Sequence, residues 1–308
     1  MIAVWLLLLL ASIVGASLAS QRAVTAALGI TETLGVSPAL VGVTVLAVGT
    51  DLPEIANSLV SAGSGHGDVN VGDSMGSVFT QVTLVLGILW VATGGIKTDR
   101  SFVARVGAAV FVASLTVWLL VSDGDLSHLD GLLLVSGWAA GSALIGRGED
   151  KPNTPAPGER GHVASAVMRA LLWLGIVGVF AVGVVQSFLA ASEILGIPEF
   201  VGSFIVLSIG TSLPELVVDW TAIRRGASSM AIGDIFGSSF VDATLSVGIG
   251  PLVFGSQLSS GVARGVAVAA VGALLATIIV VTARRRTYGP GVRLLVVYVA
   301  AQIAVVVL

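Results

Sequence analysis

Two glutamates stand in runs of sequence otherwise suited to a bilayer. Glu54 follows Leu52-Pro53, and Glu215 follows Leu213-Pro214. An uncompensated carboxylate near the middle of a membrane span is costly, which marks it as functional by default. The proline beside each one removes a helix donor and frees a carbonyl one turn earlier. Ala47–Thr50 and Ser208–Thr211 would supply those carbonyls, with the hydroxyls of Thr50 and Thr211. Broken helices with open carbonyls at mid-membrane line ion sites. Without the glutamates, a packing kink would be the better account of either proline. Farther along, Ser77 and Gln81 lie one turn apart on one helical face, as do Ser238 and Asp242. Brought to one point, Glu54, Glu215, Asp242, Gln81 and these hydroxyls form an all-oxygen donor set with three carboxylates. Hard cations such as Ca2+ and Na+ favour such a set, and Ca2+ takes about six to eight oxygens. The blander alternative for each acid is a protonated carboxyl bonded to a backbone carbonyl. No spanning lysine could form a Schiff base, and no histidine lies mid-span. The absence of cysteine excludes disulfides, thiolate metal sites and a cysteine nucleophile.

The two acid-bearing stretches are copies of one another. Gly49-Thr50-Asp51-Leu52-Pro53-Glu54 recurs as Gly210-Thr211-Ser212-Leu213-Pro214-Glu215. Gly72-Asp73, Gly76-Ser77, Phe79, Thr83-Leu84 and Gly87 recur, at the same offset and without a gap, as Gly233-Asp234, Gly237-Ser238, Phe240, Thr244-Leu245 and Gly248. The match reaches upstream, where Glu32, Leu34 and Gly35 return as Glu193, Leu195 and Gly196. Two halves, each with a carboxylate beside a proline in apolar sequence, imply a transporter built on an internal repeat.

The elements that must carry these residues are membrane helices. Of 308 residues, 55% are hydrophobic and 11% charged, with a mean hydropathy of +1.01; a soluble domain carries about a quarter charged residues. Runs long enough to cross a bilayer, about 20 residues each, fall at 2–20, 38–62, 69–92, 102–121, 128–146, 166–190, 199–223, 230–254, 261–283 and 291–308. Met1–Ser20 lacks the basic start of a signal peptide and reads as the first span. Arg147–Ser165, rich in Pro, Gly and charge, reads as a flexible linker. All fifteen Lys and Arg residues except Arg264 lie in or beside the odd-to-even connections. That bias places both termini outside and the 147–165 linker in the cytoplasm. Five spans per half is an odd number, so the second half must be inserted upside down. The expected fold is an all-α integral membrane protein of ten transmembrane helices. It comprises two inverted five-helix repeats, 1–146 and 166–308, with helices broken at the midplane.

These blocks resemble the paired α-repeats of the sodium/calcium exchanger branch of the calcium/cation antiporter superfamily. The resemblance covers both repeats and nearly the whole chain. It implies a secondary antiporter in a prokaryotic plasma membrane, exchanging Ca2+ or a similar divalent cation for Na+ by alternating access. Glu54 and Glu215 would then be the principal ligands, and Asp242 matches the family's second-repeat acid. Thr50, Ser77, Thr211 and Ser238, with the carbonyls of Ala47 and Ser208, would serve Na+. Some positions depart from the pattern. Gln81 stands where the prokaryotic exchangers usually have asparagine, Asp51 where they have serine, and Asp73 and Asp234 where they have asparagine.

Asp51 is either a fourth carboxylate at the site or a helix-break cap bonded to backbone amides. Asp73 and Asp234 read as gating or ion-path residues, or as solvated helix starts. Asp219, one turn beyond Glu215, lies on an ion path or near the interface. Clustered carboxylates can trade protons for a metal, so H+ coupling stays open beside Na+. Paired intramembrane aspartates also suggest a protease, but that leaves the Pro-Glu motifs and the inverted repeat unexplained. A passive channel is disfavoured by a single, highly charged site. The sequence calls for no enzyme activity, cofactor, nucleic acid or obligate protein partner beyond the transported ions and the lipid bilayer.

Overall fold

The computed structural model describes residues 2–34, 47–146, 163–224, 226, 228–283 and 287–307. The first half contains α1 (Ile2–Leu34), α2 (Ala47–Thr50) and α3 (Leu52–Gly63). It continues with α4 (Gly67–Thr80), a π turn at Gln81–Val85, α5 (Leu86–Thr93), α6 (Arg100–Leu120), β1 (Asp125–Leu126) and α7 (His128–Gly146). The second half contains α8 (Val163–Leu195), α9 (Glu199–Gly202), a π turn at Ser203–Leu207, α10 (Ser208–Thr211) and α11 (Leu213–Arg224). After it come α12 (Ser228–Val241), a π turn at Asp242–Ser246, α13 (Val247–Phe254), β2 (Ser256–Gln257), α14 (Val262–Val281) and α15 (Gly289–Val307).

The repeat seen in the residues recurs in the backbone. α1 and α8, α2 and α10, α3 and α11, α4 and α12, and the π turns opening at Gln81 and Asp242 begin and end at matched positions. The turn after each Pro-Glu helix carries a glycine with positive φ, Gly65 at 80° and Gly226 at 83°, a conformation that costs glycine nothing.

Nine stretches of the described residues are long and apolar enough to cross a membrane. Expected span two lies partly outside the described residues, at 38–46, and its described part is α2 with α3. The linker lies outside them too, except for Val163–Ser165, which belong to α8. The first and sixth spans exceed the bounds read from hydropathy. α1 and α8 each run 33 residues, well past 2–20 and 166–190. No proline interrupts either helix, and each lies along the other. Gly15 faces Phe180, Gly183 faces Ser12, and the Arg22 guanidinium sits 4.6 Å from the centre of the Trp173 ring. A cation over an indole face gives the polar extension of α1 a partner on α8.

The other helices surround α4 and α12, whose residues are buried almost throughout. α4 packs against the π turn at Ser203–Leu207, where a Cβ on Gly76 would meet the Phe204 carbonyl oxygen at 2.4 Å. Phe79 stacks on Phe204 and Tyr298. One end of the bundle gathers the turns near His66, Gly124, Glu199 and Ser256. There β1 pairs antiparallel with β2, and His66 Nδ1 lies 3.0 Å from the Glu199 carboxylate. The opposite end gathers Lys97, Arg100, Gly226 and Ala283 around a cavity of about 750 Å³.

Candidate cation site

Each Pro-Glu helix begins at a break. Asp51, between α2 and α3, has φ −82° and ψ 7°, and its mate Ser212 has φ −82° and ψ 4°. Pro53 falls in the first turn of α3, where a missing N–H is no loss. The break directs Glu54 inward, and the same geometry in the second half directs Glu215 toward it. One carboxylate oxygen from each of Asp51, Glu54 and Glu215 lies within 4.8 Å of the others. All three side chains are fully buried, and among the described residues no group outside the trio donates a hydrogen bond to their oxygens. Asp242 is a near electrostatic neighbour of all three, and among the described residues no cationic side chain is a neighbour of theirs.

Neutral donors frame the acids across the pseudo-two-fold axis. Gln81 Nε2 donates to Asp242 Oδ2 at 3.1 Å, and Ser239 Oγ donates to Gln81 Oε1 at 2.9 Å. Gln81 and Asp242 are repeat mates, so their bond crosses the axis itself. Two further contacts are mirror copies: Thr50 Oγ1 to Ser238 Oγ at 3.2 Å, and Ser77 Oγ to Thr211 Oγ1 at 3.3 Å. The structure thus brings every candidate from the sequence into one buried region.

Several details differ from expectation. The Ala47 and Ser208 carbonyls are not open. Ala47 O accepts from Asp51 N at 3.0 Å and Thr50 Oγ1 at 3.1 Å, and Ser208 O accepts from Ser212 N at 3.1 Å and Thr211 Oγ1 at 3.4 Å. Both lone pairs of each carbonyl are thus engaged within its own turn. Asp51 occupies the N-cap position of α3 but makes no capping hydrogen bond; it faces the other acids. Asp73 and Asp234 are buried, with 1% exposure each, so neither is a solvated helix start. Asp73 accepts from Asn57 Nδ2 at 3.0 Å and from Thr211 Oγ1 at 3.1 Å. Sequence reasoning missed Asn57 and Ser239. Asn57 stands one turn after Glu54, a spacing that could have flagged it, but its mate is Val218.

The two sides of the site are packed differently. α3 lies tightly along α13: Ser58 Oγ accepts from Gly250 N at 3.0 Å, and a Cβ on Gly250 would meet the Ser58 carbonyl oxygen at 2.4 Å. The matched pair, α11 and α5, barely touches. The tight pair leads to the His66–Glu199 end, and the loose pair leads to the end that holds the cavity.

The family model described as sodium/calcium exchanger protein matches residues 4–145 and 165–307. The sodium/calcium exchanger MaX1 of Methanosarcina acetivorans is 26% identical over 296 residues, which cover 82% of this chain and 84% of that one. Two solved structures share the fold. The sodium-calcium exchanger NCX_Mj, soaked with 10 mM Na+ and zero Ca2+, aligns with a TM-score of 0.67 at 23% identity, covering 99% of both chains. The H+/Ca2+ exchanger CAX aligns with a TM-score of 0.78 at 17% identity, covering 98% of this chain and 84% of that one.

Proposed function

We propose that this chain, which belongs to the sodium/calcium exchanger protein family, is a secondary antiporter that exchanges Ca2+, or a similar divalent cation, for Na+ by alternating access. The observation that carries the reading is the trio of Asp51, Glu54 and Glu215, buried, within 4.8 Å of one another and without a hydrogen-bond donor from outside the trio among the described residues. Two unit charges at that distance repel by about 3.5 kcal/mol at an effective dielectric near 20. Such a group requires cations. Ca2+ binds carboxylate and amide oxygens, and the site offers these together with hydroxyls. Thr50, Ser77, Thr211 and Ser238 supply neutral oxygens suited to Na+ on both sides of the axis. Gln81 fixes Asp242 and, through Ser239, its own amide orientation.

The unequal packing supports alternating access. The tight α3–α13 contact seals one route to the acids, and the loose α11–α5 contact leaves the other close to the cavity. Exchange of these packings between the repeats would turn the site toward the opposite side. We read the cavity end, with its basic residues, as cytoplasmic on the positive-inside rule, with both termini outside. The divisions 1–146 and 166–308 are then the two inverted units, and the charged segment between them is cytoplasmic.

H+ coupling is the second reading, favoured by a specific observation. Asp51 adds a carboxylate where its mate has a serine, and a multi-acid site can exchange protons for a metal. The test is 45Ca2+ uptake into vesicles containing the purified protein under an outward Na+ gradient, with and without a protonophore. Uptake driven by Na+ and insensitive to the protonophore is expected. Uptake that requires a pH gradient and ignores Na+ would assign the coupling to H+.

A further inference from the structure

The repeat symmetry fails at one pair of acids that adjoins the central trio on the side of Glu215. Asp219 lies one turn beyond Glu215 on α11, and Asp234 lies two turns before Asp242 on α12. Their carboxyls stand side by side. Both residues are buried, at 0% and 1% exposure, and among the described residues no other group donates a hydrogen bond to their four oxygens, so the two carboxyls have only each other. The matched positions in the first half are satisfied. Ser58, the mate of Asp219, binds Gly250 N, and Asp73, the mate of Asp234, is held by Asn57 and Thr211. In the second half Val218 replaces the Asn57 amide, and Asp219 adds a second carboxylate. Two acids that have only each other as partners have thus taken the place of a neutralised network, and only on the loosely packed side.

From this arrangement we propose that Asp219 and Asp234 form a second binding site for the divalent cation, between the central acids and the cavity at the basic end. The identity of the cation rests on the exchanger reading above; the placement rests on the pair itself. Ser228 and Ser229 line the cavity, and Asp234 follows Ser229 by five residues on α12, about 8 Å along the helix. Asp219 stands about 6 Å along α11 from Glu215. Lys97 and Arg100 line the cavity and disfavour cations there. The buried pair supplies the negative charge that a dehydrating divalent ion needs beyond that rim. The first half has no such pair, so the site acts on one side of the membrane alone.

Equilibrium binding of 45Ca2+ to the detergent-purified full chain tests the proposal. Four proteins are compared: wild type, Glu54→Gln, Asp219→Asn with Asp234→Asn, and all three changes together. Thermal unfolding confirms that each is folded. Asp219→Ser, which installs the residue of the matching position, serves where the double asparagine variant fails to fold. Glu54→Gln is expected to retain weak saturable binding that the combined variant loses. In oriented vesicles the paired variant is expected to raise the half-saturating Ca2+ concentration about tenfold at the basic face only. Residual binding equal in Glu54→Gln and the combined variant would overturn the second site while leaving the central one standing, as would equal affinities at both faces. Wild-type binding undiminished by Glu54→Gln would instead overturn the central site.

Discussion

Asp51 separates a ligand from a helix cap, and one substitution decides between them. Asp51→Asn keeps size and removes charge. Its carboxylate lies within 4.8 Å of those of Glu54 and Glu215, so the ionised cation-free site carries two repulsions of at least about 3.5 kcal/mol each at an effective dielectric near 20. Removing them stabilises the empty protein. The same charge attracts a bound divalent ion, with a gross value of about 14 kcal/mol at a ligand distance of about 2.4 Å and the same dielectric. Reorganisation and solvent reduce the measured loss to about 3 kcal/mol, or roughly 150-fold in Ca2+ affinity. Two shifts of opposite sign are therefore expected. The melting temperature of cation-free Asp51→Asn rises, and the further rise produced by saturating Ca2+ in the wild type shrinks. Thermal unfolding in detergent with and without Ca2+ reads both, and 45Ca2+ binding gives the affinity. A cap would give the reverse pattern. A lower melting temperature without Ca2+, together with unchanged Ca2+ affinity, would refute the reasoning.

Three further outcomes follow from named contacts. Gln81→Asn shortens the side chain by one methylene, so it cannot span both Asp242 Oδ2 and Ser239 Oγ; the fold is retained and the half-saturating Ca2+ concentration changes, as flux measurements will show. Gly76→Ala drives a Cβ to 2.4 Å from a backbone oxygen of Phe204, and thermal unfolding should show a loss of about 1–3 kcal/mol or more. Gly250→Ala wedges α3 from α13 at Ser58. Because the chain has no cysteine, a single Ala62→Cys label can report the result. An impermeant maleimide should react faster with that cysteine when Gly250 is alanine, and equal rates would mean that the α3–α13 contact is not the seal.

Much of this architecture was legible because the chain repeats itself. The Pro-Glu motifs, their shared offset and the basic connections gave the inverted halves, and the structure matches their helices almost residue for residue. The π turns at Gln81 and Asp242 carry no proline or glycine signal and were not legible. The role of Asp51 was open because the residue types that cap helices also bind cations; only its unbonded oxygens beside Glu54 and Glu215 distinguish the two. Asp73 and Asp234 looked like span ends when measured along the helix, but neighbouring helices bury that part of α4 and α12 as fully as the middle. Asn57 escaped notice because comparing the repeats rewards residues that recur. Its replacement by Val218 is the asymmetry that leaves Asp234 without an amide.

The central claim is that Glu54 and Glu215 hold the transported divalent cation together in one shared site. Na+-driven 45Ca2+ exchange by Glu54→Gln and Glu215→Gln, in vesicles matched for folded protein by thermal unfolding, tests it most directly. The two variants are expected to lose exchange to a similar degree, since each removes one of two matched charges from the same point. Wild-type exchange by either variant would contradict a shared site.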